Sequence, residues 1–510
     1  MGMDTINSWL EAAAGKWGHR LAISFLRAGK IETQLTYAQL YHEIRQFALF
    51  LTSLSVQKGD RVILLIEKSL SAVVAHFAIL QLGAIAVPLN PGFKQTELEY
   101  LLHDADAALV ITESERKALI ETIDSTLPVV TVSTQQPYRK VDRFRGAAVP
   151  GLQIDVTPED PALIIYTSGT TGNPKGAVLT HKNLVNDARN IIAIWEMTQK
   201  DILCHALPLF HVHGLCFALH TPLFSGAHVR LLDQFMPEIV LNELSGKTDG
   251  EACTVLMAVP TMYTKLMNFS RERPVNFSSL RLLTSGSAPL PAAAFERIHK
   301  MFGIRPVERE GMSETGMNFS NPLRAEQKPG SIGLALPGVA VRIVDPVTFK
   351  DVNIGEIGEL WLKSPSITPG YWRKPDETAA SFVDGWFRTG DLGKMDKEGY
   401  YYLTDRMKHI IITGGENVSA KEVETVINRM EGVIESSVVG VPDDRWGEKV
   451  AAAVVVKPEY HLTKIQIQAF CKERLHDWKC PKEILFINEI PKNTMGKMLK
   501  TVVKAYFMNS

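Results

Sequence analysis

The sequence predicts an α/β protein, in which a large N-terminal domain has two α/β sheet subdomains and a small β-rich subdomain, followed by a small α+β C-terminal domain. Strand-like apolar runs alternate with amphipathic helical runs over most of the 510 residues, which is the rhythm of a sheet with helices on its faces. The pattern changes to short β-rich pieces between Val339 and Tyr402, and to a mixed segment after Asp405. A chain of this length corresponds to roughly three folding units of about 150 residues each.

Buried strands and helices alternate through the first two blocks of the chain. The first block is predicted to contain strand Arg61–Ile66, helix Ser71–Leu82, and strands Ala84–Pro88, Ala108–Thr112 and Val129–Val132. A second block of the same kind runs from about Asp160 to Leu336. Each block therefore predicts one sheet with helices packed on it.

The remaining third of the chain has shorter elements. Its first part carries VRIVD, GELWLK and GYYYL, separated by Gly and Pro turns, which predict a small β-rich unit. The last hundred residues predict helix Ala420–Arg429, strands Ser436–Val441 and Val450–Val456, a helix near Lys464–Leu475, and a polar tail around Lys492–Lys500. This mixture predicts a compact α+β domain.

Composition excludes several classes of protein. A net charge of -1, from 55 basic and 56 acidic residues, gives no global field for nucleic acid or an anionic membrane. The longest stretch without charged residues, 69–93, contains His76 and Pro88, and predicts a buried helix leading into a strand rather than a membrane span. Five widely spaced cysteines without a C-x-x-C pair fit a reducing cytosol. The N-terminal segment has no basic region followed by an apolar core, so we expect a cytoplasmic protein without a signal peptide. A homodimer stays an open alternative.

The sharpest local signal is the string at 166–176, which reads YTSGTTGNPKG. It follows the predicted strand Ala162–Ile165 and precedes a helix predicted to begin near His181. Its glycines let the backbone approach a ligand closely, and its hydroxyls and Lys175 can donate to phosphate oxygens. It is not a Walker A loop, because Pro174 stands where the second glycine should be. The string predicts a phosphate-binding loop.

This string resembles the signature loop of the adenylate-forming enzymes, which include acyl-CoA synthetases, luciferases and the adenylation domains of peptide synthetases. The resemblance covers essentially the whole chain, because seven further motifs of the family occur in order. They read LPLFHVHG at 207–214, SGSAPL at 285–290, GMSET at 311–315, WFRTGDL at 386–392, DRMK at 405–408, TGGENV at 413–418 and PKNTMGK at 491–497. Each of these is weak alone, whereas the ordered set is highly specific.

The resemblance implies an ATP-dependent carboxylate–CoA ligase, which forms an acyl-AMP intermediate and pyrophosphate and then transfers the acyl group to coenzyme A. ATP and coenzyme A are the implied co-substrates. Mg²⁺ is the implied metal, held on the phosphates by Glu314, since a hard cation favours an oxygen ligand. The implied ATP-binding residues are Thr167, Ser168, Gly169, Thr170, Thr171, Gly172, Lys175, Ser287, Ala288, Pro289, Gly311, Met312, Ser313, Thr315, Asp391, Arg406 and Lys497.

Three of the implied residues are catalytic: Lys497, His211 and Thr170. The ammonium of Lys497 would bridge the attacking carboxylate and the α-phosphate, a task that suits a compact, mobile point charge. His211 would orient the acyl carboxylate, with His213 as the alternative. Asp391 and Arg406 would reach the ribose hydroxyls, because an acceptor-only carboxylate suits a diol.

The resemblance also implies residues for thioester formation, which is the second half-reaction, and for the domain rotation between the two half-reactions. The implied coenzyme A residues are Gly414, Gly415, Glu416 and Trp446. Lys408 occupies the hinge position, where it would absorb backbone rotation rather than take part in the chemistry. The resemblance thus implies a large domain at 1–404, a hinge at 405–408 and a small, mobile domain at 409–510.

One position departs from the family pattern. The family usually has an aromatic residue directly before Gly311, to stack on adenine, and this chain has Glu310. Losing a stacking face costs about 0.5–1.5 kcal/mol. Either Glu310 turns away from the base or the affinity for ATP is modest.

The family motifs do not name the carboxylic acid. The segments LPLFHVHGL and Gly316-Met317-Asn318 look similar to malonyl-CoA synthetases, so a short dicarboxylate such as malonate is predicted. Its second carboxylate needs a cation, and Arg230, Arg281 and Arg309 are the candidates. A medium- or long-chain fatty acid–CoA ligase stays as the alternative.

Two other classes are disfavoured. A peptide-synthetase module should offer an acidic residue for a substrate ammonium, and residues 212–215 offer none. A non-enzymatic nucleotide-binding protein should have broken motifs, and only the aromatic position before Gly311 is broken.

Overall fold

A computed structural model describes residues 3–134, 138, 154–167, 173–270, 276–414, 416–493 and 496–508. The chain forms two compact units. Unit 1 contains residues 1–340 and 363–385, and unit 2 contains residues 341–362 and 386–510. Sheets and helices alternate as expected, so the predicted fold class is confirmed.

In the described ranges, nine strands form the larger sheet of unit 1. Their bounds are β1 Leu21–Arg27, β2 Lys30–Thr36, β9 Ile202–His205, β10 His228–Leu232, β11 Val255–Ala258, β12 Leu282–Ser285, β13 Val307–Met312, β14 Gly316–Ser320 and β15 Leu334–Ala335. Their order across the sheet is β15-β14-β13-β12-β11-β9-β10-β1-β2. The pairs from β1 to β13 are parallel, and antiparallel strands flank them at both edges. Because ligands bind beyond the carboxyl ends of parallel strands, the loops after β12 and β13 are favoured positions for a site.

The second sheet of unit 1 has seven strands among the residues that the structure describes. Their bounds are β3 Arg61–Leu65, β4 Ile85–Pro88, β5 Leu109–Thr112, β6 Val129–Thr131, β7 Pro161–Thr167, β8 Lys175–Thr180 and β18 Gly370–Tyr371. Their order is β18-β8-β7-β4-β3-β5-β6. β7 and β8 pair in antiparallel fashion, so the string at 166–176 contains the end of one strand and the beginning of the next. The sequence predicted the strand before this loop and the helix at His181 but did not predict β8.

Eleven α-helices are described in unit 1. They are α1 Ile6–Trp17, α2 Tyr37–Ser53, α3 Leu70–Gln81, α4 Gln95–Ala105, α5 Ser114–Ile123, α6 His181–Ile194, α7 Thr221–Ser225, α8 Pro237–Leu244, α9 Pro260–Phe269, α10 Ala292–Phe302 and α11 Pro375–Ala380. The predicted helix in the uncharged stretch is confirmed as α3, which is buried almost all round. None of the helices in the described ranges combines the length and apolar character that crossing a bilayer requires.

A π-helical segment, His213–His220, precedes α7 and is buried throughout. Such wide turns occur often at functional sites. Gly214 is required there, since a Cβ atom at this position would lie 1.9 Å from the carbonyl oxygen of Pro208.

Unit 2 contains the predicted β-rich piece and the predicted α+β piece. The first has strands β16 Ala340–Val344, β17 Gly358–Lys363, β20 Trp386–Met395 and β21 Tyr401–Arg406; a short strand of unit 1, β19 Phe382–Val383, precedes β20. The second has strands β22 Ile410–Thr413, β23 Glu416–Ser419, β24 Val433–Asp443, β25 Gly447–Val456 and β26 Glu483–Phe486, with helices α12 Ala420–Ile427, α13 Lys464–Lys472 and α14 Lys500–Met508.

Two apolar clusters hold the α+β piece together. The first cluster joins α12 and α13 to the sheet, and its buried members include Val423, Ile467, Val438, Ala452 and Val454. The second joins α14 to the sheet, and it includes Val503 and Phe507. Because Ala452 and Ala453 are neighbours on β25 and belong to different clusters, the two clusters lie on opposite faces of the sheet.

The sequence predicted α12, β24, β25 and α13, with ends that differ from the observed ones by a few residues. It did not predict α14. The lysines at 492–500 favour a polar tail, and the apolar face of α14 that contacts the sheet is narrow, with Val503 and Phe507 one helical turn apart.

Candidate active site

The base of the phosphate loop is formed by the paired ends of β7 and β8. Thr167 lies directly opposite Lys175 in the hairpin. Gly176 fits tightly, since a Cβ atom there would lie 2.6 Å from Cγ2 of Ile164. The predicted site residues Ser168, Gly169, Thr170, Thr171 and Gly172 lie outside the described residues. Thr167 and Lys175 therefore mark where the loop begins and ends.

Glu314 lies beside Thr167, in the turn between β13 and β14. Its side chain is buried, and its Oε1 accepts hydrogen bonds from the hydroxyl of Thr167 at 3.3 Å and the hydroxyl of Tyr371 at 3.2 Å. The ammonium of Lys175 lies 5.5 Å from the centroid of the Tyr371 ring. The fold thus brings Thr167, Lys175 and Glu314 together, and it adds Tyr371, which no sequence motif singled out.

The donors around Glu314 fit a magnesium ion that is held mainly by phosphate. One buried carboxylate with a neighbouring hydroxyl offers hard oxygen atoms, and Mg²⁺ in such sites takes its other ligands from phosphate and water. Among the described residues there is no group of three or more His, Cys, Asp or Glu side chains that could hold a metal by itself.

A second contact joins the loop after β12 to the π-helical segment. The Oγ atom of Ser287 lies 3.2 Å from Nδ1 of His213. Ser287 has φ = 67°, a left-handed conformation that is uncommon outside glycine and often accompanies function. Ala288 and Pro289 follow it on the way to α10. Burial lowers the pKa of His213 well below its usual value, so the imidazole is neutral at pH 7.

His211, the histidine favoured by the motif, is partly buried just before this segment. Burial lowers its pKa to about 4. The backbone carbonyl of His211 accepts a hydrogen bond from the amide of Leu215 at 2.9 Å. The two histidines therefore lie close together in the chain, and His213 contacts Ser287.

Arg309, on β13, carries a buried guanidinium. Its side chain lies 5.2 Å from the Phe217 ring centroid and directly against Gly286, where a Cβ atom would come within 2.5 Å of the guanidinium carbon. Its Nε and Nη2 atoms find no hydrogen-bond partner among the described residues. Burial lowers its pKa to about 10, so the side chain remains charged at neutral pH.

The other two candidate arginines are already paired. Arg230 is buried and bonds Glu243 at 2.8 Å and Asp249 at 2.8 Å. Arg281 bonds the carboxylate of Asp201 at 2.6 and 2.7 Å. Their charges are therefore committed to structural ion pairs.

The hairpin of β13 and β14, which contains the GMSET motif, is contacted by α6. Asp187 accepts a hydrogen bond from the amide of Met317 at 2.8 Å. Gly316 has φ = 68°, and a Cβ atom there would lie 2.7 Å from Oδ1 of Asp187. Burial raises the pKa of Asp187 to about 7. The glycine is therefore needed both for its backbone conformation and for this close approach.

Glu310 occupies the position before Gly311 and bonds its neighbouring strand. Its Oε2 accepts a hydrogen bond from the side-chain amide of Asn318 at 3.1 Å. Asn318 also donates to the hydroxyl of buried Thr315 at 2.7 Å. Gly311, Met312 and Ser313 are partly exposed beyond it.

In unit 2, Asp391 and Arg406 form an ion pair. They are direct partners on β20 and β21. The carboxylate of Asp391 is buried and lies 2.7 Å from Nε of Arg406, with a second contact of 3.3 Å to Nη2. The resemblance implies that both side chains reach the ribose hydroxyls, and the structure shows that they contact each other.

The hinge motif is fastened to the start of α12. Asp405 accepts hydrogen bonds from the hydroxyl of Ser419 at 2.7 Å and the amide of Lys421 at 2.8 Å. Burial alone would raise its pKa, but these hydrogen bonds and one from His409 hold the pKa at about 2. Lys408 lies in the 3₁₀ turn Met407–His409 that follows Asp405.

The predicted coenzyme A residues are partly described. Gly414 donates from its amide to the carbonyl of Trp446 at 2.8 Å, and Trp446 is 44% exposed. The guanidinium of Arg445 lies 4.8 Å from the Trp446 ring centroid. Glu416 is exposed, and Gly415 lies outside the described residues.

Lys497 is exposed in a short turn before α14. Its amide donates to the side chain of Asn493 at 2.9 Å, and its carbonyl accepts from the amide of Asn493 at 2.9 Å. The backbone of this lysine is thus fixed, and its side chain lies at the surface of the unit.

Comparison with known proteins identifies the class. The pattern of the AMP-binding enzyme family matches residues 10–372, and that of the AMP-binding enzyme C-terminal domain matches residues 422–497. The chain therefore belongs to the AMP-binding enzyme family. This confirms the predicted membership of the adenylate-forming superfamily and its acyl-CoA synthetase branch.

Individual relatives cover almost the whole chain. The mitochondrial malonate–CoA ligase of Homo sapiens is 35% identical over 489 residues, covering 88% of this chain and 83% of its own. A long-chain-fatty-acid–CoA ligase of Bacillus subtilis is 32% identical over 533 residues, covering 97% and 93%. The crystal structure of ATP-bound MatB from Rhodopseudomonas palustris has a TM-score of 0.92 at 37% identity, covering 99% of both chains.

Proposed function

We propose that this protein is an ATP- and Mg²⁺-dependent ligase that activates a short dicarboxylic acid, with malonate as the best candidate, and transfers it to coenzyme A. The observation that carries the choice of acid is the buried guanidinium of Arg309, whose Nε and Nη2 lack hydrogen-bond partners among the described residues. Relatives that act on malonate support the same choice.

Buried guanidinium nitrogens without hydrogen-bond partners are costly, so such a side chain is favoured where a ligand supplies the missing acceptors. A carboxylate would do so, because two parallel N–H···O bonds match a guanidinium fork. Arg309 lies against Gly286, one residue before Ser287 in the SGSAPL loop. A dicarboxylate could place one carboxylate near this loop for activation and the other on Arg309.

The remaining residues divide the chemistry of the first step. Thr167 and Lys175 would donate to the phosphates, and Glu314 would hold Mg²⁺. The ion, when bound, would offset the negative charge that builds on the phosphates. Lys497 would contribute the mobile positive charge for attack of the carboxylate on the α-phosphate.

The proposed domain division is 1–404, 405–408 and 409–510. The two family patterns, which end at 372 and begin at 422, lie on either side of this hinge and support it. Limited proteolysis near Lys408 should release two compact fragments, and cleavage elsewhere with a resistant hinge would contradict the division.

A cytoplasmic location is also proposed. All five cysteines are free and buried, which suits a reducing compartment. Relatives occur in mitochondria as well as in bacteria, so fractionation of the native host is the direct measurement.

The test is kcat/KM for thioester formation with malonate, methylmalonate, acetate, butyrate and octanoate, in the wild type and in Arg309→Met. Malonate should exceed butyrate by orders of magnitude, because butyrate leaves the buried cation unpaired. Arg309→Met should remove most of this preference and leave butyrate little changed. The exposed Arg324→Gln serves as the control.

A dependence of activity on chain length would contradict the proposed substrate. Wild-type activity that rises about tenfold or more with each added methylene, without activity on malonate, would contradict the dicarboxylate and favour a fatty acid–CoA ligase.

A further inference from the structure

We propose that Tyr371 is a positioning residue for the phosphate and metal site, with its hydroxyl orienting Glu314 and its ring orienting Lys175. The proposal rests on the proposed function, which assigns Glu314 to the metal and Lys175 to the phosphates. Tyr371 lies outside every motif that the sequence analysis used.

The hydroxyl of Tyr371 fixes the rotation of the Glu314 carboxylate. It donates to Oε1 at 3.2 Å, and the hydroxyl of Thr167 donates to the same oxygen at 3.3 Å. Within the described part of the chain, no residue donates to Oε2 of Glu314. Both hydroxyls therefore bond the same oxygen, and in the proposed site the other oxygen would serve the cation.

The ring of Tyr371 is also a surface for Lys175. The ammonium lies 5.5 Å from the ring centroid, within the range of a cation–π interaction. This contact restrains a long, flexible side chain close to the loop that it must serve. One tyrosine thereby links the two charged groups of the site.

The backbone of Tyr371 is held independently of its side chain. Tyr371 pairs with Ala177 where β18 joins β8, and its amide donates to the hydroxyl of Thr378 at 2.9 Å. The next amide, of Trp372, donates to the carbonyl of Gly176 at 2.7 Å. Side-chain substitutions at 371 should therefore leave the strand in place.

Two substitutions separate the two contacts. Tyr371→Phe removes the hydroxyl and keeps the ring, whereas Tyr371→Leu removes both. We would measure equilibrium binding of ATP by calorimetry, once with MgCl₂ and once with EDTA. This readout does not depend on turnover, and a purely structural defect would affect both conditions alike.

Tyr371→Phe should lose about tenfold in the enhancement of ATP binding by Mg²⁺, because a hydrogen bond to a charged group is removed. Its binding of metal-free ATP should match the wild type. Tyr371→Leu should weaken binding in both conditions. Tyr37→Phe is the control for loss of a tyrosine hydroxyl. It removes a buried hydrogen bond from the Tyr37 hydroxyl to the carbonyl of Ala227, which involves neither Glu314 nor Lys175.

An unchanged Mg²⁺ enhancement in Tyr371→Phe, or an equal loss with and without metal, would overturn the proposal. Glu314→Gln distinguishes this from failure of the proposed function. If Glu314→Gln keeps the wild-type enhancement, the metal role of Glu314 is wrong; if it loses the enhancement and Tyr371→Phe does not, only the role of Tyr371 is wrong.

Discussion

Asp391 and Arg406 lie directly opposite each other on β20 and β21, with Oδ1 of the carboxylate 2.7 Å from Nε of the guanidinium. A hydrogen bond from Nη2 to Oδ2 at 3.3 Å joins the same two side chains, so the carboxylate is held by one ion-pair contact and one hydrogen bond. Because the pair is set by strand register, each residue holds the other in one orientation.

This pairing makes a specific prediction about the sugar of the nucleotide. If Asp391 accepts hydrogen bonds from the ribose hydroxyls, the wild type should prefer ATP over 2′-deoxy-ATP by about tenfold or more. Asp391→Asn should reduce that preference, since the amide is a weaker acceptor and carries no charge. The measurement is kcat/KM for both nucleotides.

The control for this experiment is Asp351→Asn, which breaks the exposed ion pair of Asp351 with Arg342 in the same unit. It should retain the wild-type preference. A preference that survives in Asp391→Asn would argue against contact between Asp391 and the ribose.

Local patterns predicted most of the elements that frame the site. The buried strand before the phosphate loop, the helix at His181 and the α+β order of the last hundred residues follow from periodicity and turn residues, and the structure has them. The paired positions of Thr167 and Lys175 were not visible, because β8 was not predicted.

Contacts between distant segments could not be read from the sequence. Tyr371 and Glu314 are 57 residues apart, and the structure brings them into contact across two different sheets. The choice among three arginines needed the partners of each side chain. Arg230 and Arg281 donate hydrogen bonds to carboxylates, whereas Nε and Nη2 of Arg309 find no hydrogen-bond partner among the described residues. A motif identifies the residue types of a site. Which of those side chains can still bind a ligand depends on their burial and on the partners they already have in the folded protein.

Restoring an aromatic residue at position 310 should strengthen nucleotide binding. Glu310 bonds Asn318 instead of offering a flat surface. In Glu310→Tyr the new ring would supply a stacking face worth about 0.5–1.5 kcal/mol, or roughly a two- to tenfold decrease in the Kd for ATP. Glu310→Gln, of the same size and without charge, separates stacking from loss of repulsion. Equal gains in both variants would show that charge, rather than stacking, limits the affinity.

Substitution of Lys497 should separate the two half-reactions. Lys497→Ala should lower the rate of adenylate formation by about 10²–10³-fold, since a charge that acts mainly in the transition state is lost. Given preformed acyl-AMP, the same variant should still form the thioester. Lys504→Gln, which lies on α14 and pairs with Glu448, is the matched control. Normal adenylation with failure on supplied acyl-AMP would reverse the assignment.

Acid should destabilise unit 1 through a buried pair of histidines. Nε2 of His76 lies 2.8 Å from Nε2 of His220, and both side chains are buried. Burial lowers the pKa of His76 to about 3 and that of His220 well below its usual value, whereas an unfolded histidine titrates near 6.5. Between these pKa values the unfolded chain binds more protons than the folded protein. The contribution of the pair to the free energy of unfolding is therefore complete above pH 6.5 and is lost as the pH falls below it.

Each imidazole that stays neutral in the folded protein should lower the free energy of unfolding by about 1.4 kcal/mol for each pH unit below about 6.5. The midpoint of thermal unfolding should therefore fall steeply between about pH 7 and pH 5. In His76→Leu/His220→Leu the slope should be shallower, because neither side chain can take up a proton in the unfolded chain. The exposed His461→Gln should keep the wild-type slope, and an equal slope in the double variant would show that other groups drive the acid transition.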